Sequence, residues 1–147
     1  HEHNVNLKFL RNEKQFGVDN FDKLKECMST MKKNMDDIKD LLEDLKQKNK
    51  SIVGYGATAK FTNVMNMCGL NNNHIDYVVD TTPLKNNKWI PNTNVQIKAY
   101  NPNKVKDIDY FYLGAWNYKK EILNKEKEHL NNGGKFITHI PNVDILK

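Results

Sequence analysis

The chain has 147 residues, enough for one domain with a core of its own. It carries a net charge of +5, but Arg11 is the single arginine among 23 basic residues, against the arginine-rich habit of nucleic-acid readers. No apolar run approaches the ~20 residues of a membrane span and no secretory leader is visible, so neither nucleic acid nor membrane is expected as a partner.

The first residues, His1-Glu2-His3, set two imidazoles around a carboxylate, but no third metal ligand follows nearby. They read as a tag remnant or frayed end, and residues 1–19 as an N-terminal extension. The chain opens without an initiator Met and is taken as a piece or truncated product of a longer polypeptide.

From residue 20 the period changes. Phe21, Leu24, Met28, Met31, Met35, Ile38, Leu42 and Leu45 recur at steps of three and four, which predicts one long amphipathic helix over residues 20–49. Asp19 or Asn20 is placed to cap its start. The Met-rich stripe is expected to pack on a sheet or a neighbouring domain, with a self-associating homodimer as the alternative.

Residues 51–147 alternate between β and α patterns. Strands are expected at 51–54, 75–79, 95–99, 109–114 and 135–140, and helices near 58–68 and 118–131, with a short turn near 102–106. The segment 81–94 reads as a long loop after the second strand. Gly69 and the Asn132-Gly133-Gly134 run serve as helix stops. Residues 20–147 thus form a single α/β domain, a Rossmann-like, open, mainly parallel five-stranded sheet preceded by the long helix. Cys27 and Cys68 lie far apart without metal spacing, and both are expected to be reduced, near-core thiols of a cytoplasmic protein.

The most informative stretch is Ser51-Ile-Val-Gly-Tyr-Gly-Ala-Thr-Ala-Lys60. A β-branched run drops into Gly54-x-Gly56 and then small residues, the order strand, tight turn, helix N-terminus. Such a turn lets backbone approach a phosphate, and the helix start offers free N–H groups and a positive dipole end. Ala59 stands where a third Rossmann glycine would be, and the spacing of Gly54 and Lys60 is not that of a Walker loop. About twenty residues on, Ile75-Asp-Tyr-Val-Val-Asp80 is a strand ending in an acid, the place where dinucleotide-binding folds contact a ribose hydroxyl.

Several short motifs follow in a fixed order: Gly54–Lys60, Asn63–Gly69, Asp80–Lys85, Ala115–Asn117 and Gly133–Pro141. Together with Phe9–Val18 upstream, the set resembles the C-terminal domain of sugar C-methyltransferases, from about Leu7 onward. The resemblance implies an S-adenosylmethionine-dependent enzyme of deoxysugar biosynthesis acting on a nucleotide-linked sugar. It implies that the methyl donor and the acid–base residues belong to an upstream methyltransferase domain of the same polypeptide. This part would then hold the nucleotide of the substrate and be inactive alone, with no cofactor or metal of its own.

The residues expected to meet substrate are Gly54, Tyr55, Gly56, Ala57, Lys60, Asp80, Lys85, Trp116 and Asn117. Each has a purely structural alternative. The glycines could serve the turn, Tyr55 could pack, Lys60 could be solvated, and Asp80 could form an Asx-turn before Pro83. His139, inside a strand pattern, reads as a core or edge histidine before a general base. Four positions depart from the family pattern. Thr58 replaces a proline, Phe61 a glycine, and Asn87 and Asn92 loop glycines. A stand-alone nucleotide-binding module and a helix-docking interaction domain remain as alternative functions.

Overall fold

A computed structural model describes residues 2–147, with side chains from Leu7 onward. The metal question at His1-Glu2-His3 lies outside the described residues. The chain divides into two compact units, residues 1–33 and 34–147.

The N-terminal extension is helical. Helix α1 spans Glu2–Phe16 and ends at Gly17, whose φ of +71° is the left-handed stop that glycine adopts without strain. Helix α2 spans Phe21–Gln47, and its start is capped by the Asn20 side chain, which accepts from Lys23 N at 3.1 Å. Along α2 the apolar stripe changes character. Phe21, Leu24, Met28 and Met31 are exposed, whereas Ile38, Leu42 and Leu45 are buried. Cys27, expected near a core, is exposed, because it lies on this uncovered stretch; Cys68 is buried.

The second unit holds the sheet. Its strands are β1 (Ile52–Tyr55), β2 (Tyr77–Asp80), β3 (Trp89–Ile90), β4 (Val95–Ala99), β5 (Tyr110–Leu113), β6 (Lys135–Thr138) and β7 (Asp144–Leu146). The helices between them are α3 (Ala59–Met67), α4 (Lys119–Lys125) and α5 (Lys127–Asn131). The order across the sheet is β3-β4-β2-β1-β5-β6-β7. The fold is therefore mixed α/β with seven strands, not five. The inner five are parallel, and β3 and β7 are antiparallel additions at the two edges.

The expected loop 81–94 contains a 3₁₀ turn at Pro83–Lys85 and strand β3, which turns back on β4 through Pro91–Asn94. Asn87 and Asn92 take φ of 60° and 63°, the left-handed region that a glycine would fill most easily. The expected helix 118–131 is two helices, broken at Glu126.

Side chains alternate across the inner strands with the period of two that a pleated strand imposes. Ile52, Val78, Tyr112 and Ile137 join a core with Ile38, Leu42, Leu45, Phe61 and Met65. Val53, Val79, Phe111, Leu113 and Phe136 join a second core with Tyr55 and Ile122. Both faces of the sheet are thus covered, which explains why its strands read as nearly continuous apolar runs.

Two acids pin the entry to β1. Asp76 accepts from Ile52 N at 2.9 Å and from Lys46 Nζ at 2.6 Å. Asp109 accepts from Lys50 Nζ, Ser51 N and Ser51 Oγ, each at 2.9 Å. The Lys50 bond, with those from Ser51, holds the Asp109 carboxyl down at about 2. The opposite, carboxyl-end edge of the sheet carries the cavities described next.

Candidate functional site

The Gly54-x-Gly56 turn divides its glycines between two jobs. Gly56 has φ +89°, so the left-handed turn itself rests on it, and a Cβ there would meet Ala115 Cβ at 2.7 Å. Gly54 lies inside β1 and makes no turn. A Cβ there would meet Val78 Cγ2 at 2.7 Å and Phe61 Cε1 at 3.0 Å. Gly114, after β5, likewise leaves room for the Phe61 ring. In a dinucleotide site, a helix glycine lets helix and strand approach. Here Gly54 in β1 and Gly114 just after β5 leave the room, and the helix carries the bulk of Phe61.

Thr58 is the N-cap of α3. Its hydroxyl accepts from Phe61 N at 3.1 Å and donates to Gly114 O at 3.0 Å, tying the helix start to the end of β5.

Asp80 is buried at the end of β2. Its carboxylate accepts from Ala57 N at 2.7 Å, from Thr82 N at 2.8 Å and from Lys85 Nζ at 3.1 Å. The Thr82 bond is an Asx-turn before Pro83. Burial pushes the carboxyl up, but the bonds from Thr82, Lys85 and Ala57 outweigh it and leave it lowered. Ala57 is buried and gives its N–H to Asp80 and its carbonyl to Lys85, at 2.9 Å. Asp80, Ala57 and Lys85 therefore form one knot under the turn.

Above this knot opens a cavity of about 340 Å³ at the carboxyl ends of β1, β2, β4 and β5. Of the expected residues, Tyr55, Gly56, Asp80 and Lys85 line it. Tyr118, which the sequence places after Trp116-Asn117 as candidate aromatic lining, lines it too, and so do Tyr100, Glu121 and Lys125, which the sequence reading did not include. Tyr100 directly follows β4, so the rule that ligands meet strand carboxyl ends could have named it. Lys125 had no such signal among so many lysines.

Tyr55 and Tyr100 are fixed from behind. Their hydroxyls donate to the same Glu126 oxygen, at 2.8 and 2.6 Å. Burial, reinforced by Glu126, raises both phenols well above the usual range, so both stay neutral donors. Glu126 is buried and sits at the break between α4 and α5. Its neighbour Lys125 places Nζ 3.7 Å from the Tyr100 ring centroid, in the range of a cation–π contact. Among the described residues Lys125 forms no ion pair.

Lys60, Trp116 and Asn117 do not line this cavity. They line an adjoining hollow of about 250 Å³, which shares Thr58, Ala115 and Tyr118 with the first. Trp116–Tyr118 is a 3₁₀ turn after β5. His139 is buried, with Nδ1 at 3.0 Å from the Tyr112 hydroxyl and Nε2 without a partner. Burial lowers its pKa to about 4, which keeps it neutral. Among the described residues no group of three His, Cys, Asp or Glu side chains could hold a metal, and no helix is long and apolar enough to cross a membrane.

A family model for the C-methyltransferase C-terminal domain matches residues 1–141. The chain is also 37% identical over 109 residues to C-methyltransferase NovU of Streptomyces niveus. That match covers 74% of this chain and 26% of NovU, so the chain spans about a quarter of the length of this curated relative. The chain belongs to the C-methyltransferase C-terminal domain family.

Proposed function

We propose that this chain is the substrate-holding part of an S-adenosylmethionine-dependent sugar C-methyltransferase, and that its main cavity takes the nucleotide of a nucleotide-linked deoxysugar. The observation that carries the reading is the cavity's composition and position. Three tyrosines and two lysines surround a glycine turn at the point where strand order reverses between β1 and β5. The parallel order β4-β2-β1-β5-β6 supports a Rossmann-like sheet, in which ligands bind at that reversal. Aromatic faces suit a base, and Lys85 and Lys125 suit a diphosphate. Glu121, an exposed acid on the wall, suits ribose hydroxyls.

S-adenosylmethionine does not fit this cavity well. Its ribose diol needs an acid with free acceptors at the end of β2. Asp80 already receives Ala57, Thr82 and Lys85. On this reading the donor and the chemistry come from an upstream methyltransferase domain of the same polypeptide, which meets the exposed apolar stripe from Phe21 to Met31. A second copy of this chain is the alternative cover. The protein would work in the cytoplasm, and this chain by itself would not transfer methyl groups.

Calorimetry with thymidine, cytidine and guanosine diphosphates tests the proposal. Saturable binding of at least one at millimolar concentration supports it. Absence of saturation with all three rejects it, and methyl transfer by the chain alone would reject the division of labour.

A further inference from the structure

The hollow beside the main cavity has its own chemistry. Its lining includes Trp116, Asn117 and Lys60, and the residues it shares with the main cavity are Thr58, Ala115 and Tyr118. Trp116 is not a loose surface ring. It is half-buried and meets His139 edge-on, with centroids 4.7 Å apart and planes at 85°. His139 is in turn held by the Tyr112 hydroxyl, so the indole has a fixed backing. Lys60 Nζ lies 5.9 Å from the indole centroid and, among the described residues, forms no ion pair. Asn117 is exposed.

A braced aromatic plane, an amide offering both donor and acceptor, and a nearby cation match one class of ligand group. The C–H face of a pyranose packs on an aromatic ring, and its hydroxyls need both donors and acceptors. A 6-deoxy sugar, poorer in hydroxyls, shifts that balance further toward the ring. The cation suits the phosphate that joins sugar to nucleoside. The nucleoside cavity lies directly across Tyr118 and Thr58, so one ligand can span both.

We propose that the Trp116–Asn117–Lys60 hollow seats the hexose of the nucleotide-linked sugar, apart from the nucleoside cavity. This rests on the nucleotide reading given above. It makes Trp116 and Asn117 specificity-determining residues for the sugar, whereas Tyr100 and Lys125 serve the nucleotide.

The test compares thymidine diphosphate with its glucose conjugate by calorimetry, with the matched cytidine and guanosine pairs alongside. In the wild-type chain the conjugate should bind about fivefold more tightly or better, a difference worth about 1 kcal/mol or more. In Trp116→Ala that preference should disappear while the diphosphate still binds as before. Asn117→Ala, at an exposed position, should lower the preference without any effect on folding. Tyr100→Ala should weaken both ligands and keep their ratio. The proposal is overturned if the ratio is one in the wild type, or if it survives in both Trp116→Ala and Asn117→Ala. It is also overturned if those variants weaken the diphosphate as much as the conjugate. If the diphosphates bind and only the ratio fails, the nucleotide reading stands. If none binds, both fall.

Discussion

Tyr55, at the end of β1, and Tyr100, just past β4, donate their hydroxyls to one and the same oxygen of Glu126. Two strand ends that are not neighbours in the sheet are thereby tied to the helix break that carries Lys125. Removing the acceptor leaves two donors unsatisfied in a largely buried place. Glu126→Leu should therefore cost about 2–4 kcal/mol, the sum of two unmade bonds at 1–3 each with partial relaxation. Glu126→Gln keeps an acceptor and should cost about 1 kcal/mol or less. Urea denaturation of the two variants reads the difference; equal losses would mean that the shared acceptor is unimportant.

Phe61 and Gly54 form a second dependent pair. Phe61→Ala should destabilise by about 3–5 kcal/mol, because its fully buried ring sits over the sheet between Gly54 and Gly114. Gly54→Ala should cost about 1–3 kcal/mol through overpacking against Val78 and Phe61. Combined, the two should cost less than their sum, since the smaller side chain makes room for the added methyl. Strict additivity in the double variant would contradict the packing described.

His139 and His129 predict an acid limb. Both are buried, and burial lowers both pKa values, to about 4 for His139. A histidine depressed in the folded state adds stability above its unfolded pKa near 6.5, and that stability is lost as pH falls toward the folded pKa. Stability should thus decline between about pH 6.5 and 4, with His139 contributing about 3 kcal/mol at most. Asp109, held near 2, acts only below that window. His139→Gln should flatten the decline. A melting curve series in which the variant keeps the full slope would show that His139 does not carry it.

The long helix predicts opposite responses along its length. Met31 is exposed, so Met31→Asp should change stability by no more than about 0.5 kcal/mol. Leu42 is fully buried in the core, so Leu42→Ala should cost about 2–5 kcal/mol. Thermal melting checks both. If the wild type self-associates at high concentration and Met31→Asp abolishes this, the exposed stripe is the contact surface.

The sequence made the parallel strands readable because each is a short β-branched or aromatic run ending at a glycine, acid or turn residue. The edge strands were not readable. Trp89–Ile90 and Asp144–Leu146 are two and three residues long and owe their state to the neighbours they pair with. The turn at Gly56 was foreseen from its spacing, but Gly54 was misassigned to it, because only the packing of Phe61 reveals why a strand lacks a side chain there. Asp80 and Lys85 stood out in the sequence as candidate site residues, yet their mutual bonding depends on a three-dimensional knot with Ala57 that spacing does not report. The expected grouping also split in two. Trp116 and Asn117 follow β5 and Lys60 starts α3, which puts all three on the far side of the Thr58–Ala115 wall.

The central claim is that a nucleotide sits at the carboxyl edge between β1, β4 and β5. Titrating the ¹⁵N-labelled chain with the nucleoside diphosphates and following its amide spectrum tests this most directly. Saturable shifts should concentrate at Gly56, Ala57, Thr58, Tyr100 and Lys125, and Lys125→Ala should weaken the apparent affinity about tenfold, the size of one charge-assisted contact. No shifts with any of the three, or shifts confined to the opposite edge near Asp76 and Asp109, would contradict the account.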